Sequence, residues 1–183
     1  MRFTYFRSRN SVIALILLIF SINPYTELKE FSLEPLFMAT HYLLFISGFL
    51  LMERRTLPGY LVSLSIALVG LWHVPLLYAL AASSPAYRAM NDLSLFSAGI
   101  LGGGATSRLS TAVKLFLFIL WMSADSVLSV ILIVGWPPYS DEVYPFSPFS
   151  INQELSTGLV MFGIMTVIFI IVILKFLRSI FKI

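Results

Sequence analysis

Apolar residues along this 183-residue chain gather into six runs, and the polar residues fall mostly between the runs rather than alternating within them. The runs are Ser11–Ile22, Leu36–Met52, Leu61–Ala82, Leu93–Ala105, Ala112–Trp136 and Leu155–Leu177. A helix needs about 20 apolar residues to cross about 30 Å of hydrocarbon. The third, fifth and sixth runs reach that length and the second nearly does. The pattern predicts an all-α integral membrane bundle of six transmembrane helices, forming one polytopic domain over residues 1–183. Two runs fit less well. The first is short and, behind Arg2, Arg7 and Arg9, resembles a signal-peptide core. No small-x-small cleavage site follows it, which favours an uncleaved anchor. The fourth ends in "GGGATS", Gly102 to Ser107, where glycine's poor helix propensity predicts a break.

Composition agrees with the pattern. Hydrophobic residues make up 58% of the chain and charged residues 11%, and the mean hydropathy is +0.92. A soluble domain of this size carries far more charge, so lipid is the natural solvent. Cysteine is absent, which excludes a disulfide framework and a thiolate metal site.

The distribution of charge matters more than its sum of +3. With six crossings, Arg2, Arg7, Arg9, Arg54, Arg55, Arg108, Lys114, Lys175, Arg178 and Lys182 all fall on one side. Lys29 and Arg88 are left opposite, with Glu27, Glu30, Glu34, Asp92, Asp141, Glu142 and Glu154. The positive-inside rule then places both termini in the cytoplasm of a multi-pass cell-membrane protein. The basic balance reads as orientation and not as a nucleic-acid footprint.

The outer loop Pro137–Gln153 interleaves four prolines with Tyr139, Tyr144, Phe146 and Phe149. It reads either as an aromatic belt on the membrane surface or as a docking surface for a partner.

Ionisable residues inside apolar runs carry the candidate chemistry. At about 1.5 Å of rise per residue, His41 lies roughly 9 Å, and His73 roughly 14 Å, below the outer surface. Asp125 is near the middle of the fifth run and Asp92 near the outer end of the fourth. Two imidazoles at matched depth on neighbouring helices suit copper, another transition metal or haem iron. Met38, Asp92 and Asp125 are further candidate metal ligands. The plainer alternative is that each histidine hydrogen-bonds a neighbouring hydroxyl or carbonyl and joins helices. Asp125 has a similar alternative, a neutral carboxyl bonded to Ser129. No Gly-x-Ser-x-Gly, Walker loop or His-Glu-x-x-His occurs, and "GILGGGA" lacks the βαβ context of a dinucleotide loop. With no activated nucleophile or acid–base pair, the chain does not read as an enzyme by itself.

Three elements in order resemble the CtaG-type cytochrome c oxidase assembly proteins. They are "THYLLF" with His41, "LWHVPLLYALA" with Trp72, His73, Pro75, Leu77 and Tyr78, and "INQELSTGLVMFG" with Asn152, Gln153, Gly158 and Met161. The similarity spans about residues 36–170 and marks a divergent, reduced relative. The family's further histidine pair is replaced in "YRAMNDLSLFSAG", where Arg88 and Asp92 stand. The resemblance implies a place in the assembly or architecture of a respiratory haem–copper oxidase, with copper on the outer side and oxidase subunits as partners through the outer loop and helix faces. A subunit binding haem b through His41 and His73, and a purely structural subunit of a respiratory complex, are the alternatives.

The charge pattern makes a topological prediction. A cysteine at position 140 reacts with an impermeant reagent applied outside, and one at position 182 reacts only after the membrane is opened. The reverse labelling pattern overturns the orientation.

Overall fold

The computed structural model describes residues 9–52 and 55–181, with side chains from 10 to 178 outside the gap. Arg2, Arg7, Arg54 and Lys182 of the charge pattern, and the side chain of Arg9, lie outside the described residues. The helices are α1 (Arg9–Ile22), α2 (Pro24–Glu30), α3 (Glu34–Met52), α4 (Leu61–Trp72), α5 (Pro75–Ser83), α6 (Pro85–Thr106), α7 (Thr111–Ile133) and α8 (Ile151–Phe181). A short 3₁₀ turn, Pro137–Tyr139, follows α7, and no strand occurs among the described residues.

Three helices, α3, α7 and α8, are each long and apolar enough to cross a membrane. The pairs α1–α2 and α4–α5 bring the number to five if each bent pair is one span. An all-helical membrane bundle is thus the architecture.

Both bends are written in the sequence. Asn23 precedes Pro24, and its side-chain oxygen accepts from the amides of Tyr25 at 3.1 Å and Thr26 at 3.0 Å. That cap ends α1 and starts α2 at a bend of 56°. In the third run the expected single helix, Leu61–Ala82, is instead broken at His73 and Val74, with a bend of 71°. Proline drives the residue before it out of the helical region, and Val74 is extended at ψ 127°. Pro75 then serves as the first residue of α5.

The expected break at Gly102–Ser107 does not occur. Helix α6 runs unbroken through all three glycines. Its glycines serve packing, because α3 and α6 touch backbone to backbone. A Cβ added at Gly99 would meet the Phe45 carbonyl oxygen at 2.1 Å, and one at Gly103 the Phe49 oxygen at 2.4 Å. From the other side, a Cβ at Gly48 would meet the Phe96 oxygen at 2.2 Å. Small residues four apart are what lets two membrane helices approach so closely. On the other flank of α6, Ser65 of α4 donates to the Ala98 carbonyl at 2.7 Å. Helix α6 is therefore held between α3 and α4 along its glycine-bearing half, while Met90 and Leu93 nearer its start stay exposed. That position explains how a helix less apolar than its neighbours is accommodated.

Helix α3 is central and packs on α1, α6 and α8, while α7 packs mainly on α8. With 31 residues, α8 is about 46 Å long.

Substitutions along the α3–α6 contact test its tightness. Gly99→Val costs about 3 kcal/mol or more, because backbone rather than a flexible side chain must move. Gly163→Ala, with no heavy atom within 4 Å of the added carbon, is neutral or slightly stabilising. Unfolding of the detergent-solubilised protein measures both, and equal effects contradict the backbone contact.

Candidate functional site

The break between α4 and α5 frees backbone groups within an apolar helix pair, and in hydrocarbon such groups must find partners inside the protein. The His73 amide donates to Gly70 O at 3.2 Å and the Val74 amide to Leu71 O at 3.3 Å. The His73 ring turns back, and its Nδ1 lies 2.7 Å from the Val69 carbonyl. The His73 carbonyl accepts the phenol of Tyr139, from the loop after α7, at 2.7 Å. Burial pushes the Tyr139 phenol above its ordinary pKa, which keeps it a donor. The loop thus closes the break.

His41, on α3, faces the same place. Its ring and that of His73 are 6.0 Å apart between centroids, at 72°. The His41 Nδ1 lies 2.6 Å from the Phe37 carbonyl one turn back. Both histidines therefore direct Nδ1–H to a carbonyl, which leaves each Nε2 as the lone-pair nitrogen. His41 Nε2 accepts from Asn91 Nδ2 at 3.1 Å, and the same amide donates to Asp92 Oδ1 at 3.2 Å. His73 is half-buried and His41 is buried.

The remaining candidates are placed differently. Met38 is buried on α3, three residues before His41. Asp92 lines a crevice with Glu27, Leu18, Ile22, Leu44 and Phe96. Asp125 lies beside Tyr42. Its expected bond to Ser129 is not made, since Ser129 Oγ is buried without a partner. Among the described residues no group of three or more histidines and carboxylates converges as a metal site.

Sequence reasoning missed most of the polar residues at this end of the bundle. Glu30, Glu34 and Glu154, read from the sequence only as acids opposite the basic residues, are buried at 2% exposure or less. Arg88 is buried as well and forms an ion pair with Glu30. Its Nε donates to the Ala81 carbonyl at 2.8 Å, and its guanidinium lies 4.0 Å from the Phe37 ring centroid. This basic residue is thus half of a buried ion pair. Glu34 accepts from the Tyr78 phenol at 2.8 Å and from the Thr157 hydroxyl at 3.1 Å. Gln153 accepts from the Glu34 amide at 2.9 Å, which ties α8 to α3. The signal available was the spacing Glu30–Glu34–Met38–His41, one helical face carried across a turn.

The reading of the loop Pro137–Gln153 is also corrected in part. Tyr139 and Phe149 are buried in the core, with Phe149 5.5 Å from Phe37 and 6.0 Å from Tyr78 between ring centroids. Phe146 is exposed and Tyr144 is half-buried. A surface belt describes the second pair and not the first.

A bundle of apolar helices with a broken span, a histidine pair and buried ionic groups at one end defines a polytopic membrane protein with a polar core. Over residues 12–179 the chain matches the family described as protein of unknown function (DUF1404), and it belongs to that family. No curated protein and no solved structure matches it.

The buried ion pair gives the test of this core. Arg88→Met leaves Glu30 charged and alone and costs about 3–5 kcal/mol, whereas Arg88→Met with Glu30→Leu recovers most of the loss. A double-mutant cycle on unfolding measures it. Additive losses show that the pair is not coupled.

Proposed function

We propose that this chain is an accessory or assembly protein of a respiratory haem–copper oxidase, holding copper through His41 and His73 near the outer side. The observation that carries this reading is the 6.0 Å between the two ring centroids. Two imidazoles bound through Nε2 at about 2 Å put their centroids roughly 5–6.5 Å apart. Each ring is oriented by a backbone carbonyl at Nδ1, the usual outer-shell arrangement for a ligating histidine. Met38 adds a thioether on the His41 helix, and imidazole with thioether suits copper. Asn91 occupies His41 Nε2 at present and would yield it to the metal. Copper supplies electron-transfer capacity or cargo for an oxidase centre; the chain's own residues bind, orient and shield it.

In this reading α1 with α2, α3, α4 with α5, α6, α7 and α8 make six crossings. Both termini are cytoplasmic, and the loop Pro137–Gln153 meets the oxidase partner. The order of the three sequence elements supports the oxidase association.

Metal analysis and an optical spectrum of the purified full-length protein test the proposal. Copper binds the wild type, weakens at least tenfold in His41→Ala and His73→Ala, and is unchanged in Arg108→Ala. The histidine variants also lower assembled oxidase in membranes. A Soret band instead identifies the haem b alternative. Retention of oxidase with no metal bound identifies a structural subunit.

A further inference from the structure

Glu154 opens α8 with its side chain fully buried, and neither carboxyl oxygen has a hydrogen-bond partner. The Trp136 amide is near it but donates to the Ile131 carbonyl at 3.2 Å. Glu34 opens α3, is equally buried, and accepts from the hydroxyl of Thr157, which stands one turn after Glu154 on α8. Around them stand Tyr78 and Thr157, whose hydroxyls are 2.8 Å and 3.1 Å from the two Glu34 oxygens. The Thr157 hydroxyl has one proton and also lies 2.9 Å from the Gln153 carbonyl, so Glu34 Oε2 is only partly served. Arg88, the buried cation at this end, is taken by Glu30.

Two carboxyls in a low-dielectric site repel when both are charged and are costly to bury without a counter-charge. Both stand in the first turn of a helix, where the dipole favours the ionised form. The donors are all oxygens, which suits hard cations and distinguishes the site from the imidazole pair. Two negative charges match one divalent ion.

We infer that Glu34 and Glu154, with Tyr78 and Thr157, bind a calcium-class divalent cation that clamps the start of α8 to the start of α3. With two carboxylates the affinity falls in the range of outer-surface sites, about 10⁻⁴–10⁻³ M. The site is separate from the histidine pair and does not depend on it.

The test uses the full-length protein in detergent at neutral pH, with calcium chloride as probe. At 100 times the dissociation constant, calcium raises the Tm by on the order of 5 °C. Glu154→Gln keeps the size and the acceptor oxygen of the side chain while removing its charge, and it abolishes the calcium shift. Thr157→Val reduces it, while Glu27→Gln, in the separate crevice, leaves it unchanged. Terbium(III), excited through tyrosine, luminesces in the wild type, is displaced by calcium and is dark in Glu154→Gln and Tyr78→Phe. A calcium shift that survives in Glu154→Gln overturns the proposal. So does a wild type indifferent to calcium; stability that varies with pH in that case shows the two carboxyls sharing a proton instead.

Discussion

Backbone contact between α3 and α6 is the constraint on which the rest of this protein depends. In lipid there is little hydrophobic force between helices, so association rests on close packing and internal polar contacts. Gly48, Gly99 and Gly103 let the two helices approach until carbonyl oxygens stand where side chains would otherwise be. Only at that separation does Asn91 of α6 reach His41 of α3. The same packing holds α6 between α3 and α4, with the Ser65 bond on its far side. A helix with Arg88, Asn91 and Asp92 is tolerated because its neighbours shield most of it.

A second level of organisation follows from the two bends. Each bend ends a helix short of its full crossing and creates polar backbone ends that need partners. At α4–α5 those partners are the His73 ring and the Tyr139 phenol. The buried ion pair does related work at α1–α2, since Glu30 ends α2 and Arg88 also donates to carbonyls at the end of α5. The polar groups at this end therefore join five separate segments, α2, α3, α5, α6 and the loop with α8. Their clustering at one end leaves the opposite end free of buried charge among the described residues.

Much of the fold was legible from the length and order of the apolar runs, because the solvent itself dictates helices of fixed span. The proximity of His41 and His73 was legible too, since adjacent antiparallel helices place equal depths together. What the runs concealed were effects of neighbours. "GGGATS" breaks an isolated helix, yet here the lost side chains are replaced by contact with α3. Pro75 gave a break that the run of apolar residues masked. The burial of Glu30, Glu34 and Glu154 was hidden because apolar-run counting stops at the first charge, whereas the helices continue past it. Asp125 stands beside Tyr42 and is not bonded to Ser129, since azimuth is invisible without the packed neighbours.

Helix α8 has a mechanical consequence for the whole assembly. At 31 residues it outreaches a hydrocarbon layer of about 30 Å, and the basic Lys175 and Arg178 stand near its far end. A helix longer than its bilayer is thick adjusts by tilting. Its other end carries Gln153 and Thr157, which hold Glu34. A thinner or thicker membrane therefore changes the lean of α8 and shears these bonds against α3, so bilayer thickness acts on the polar end of the bundle as a load on a lever.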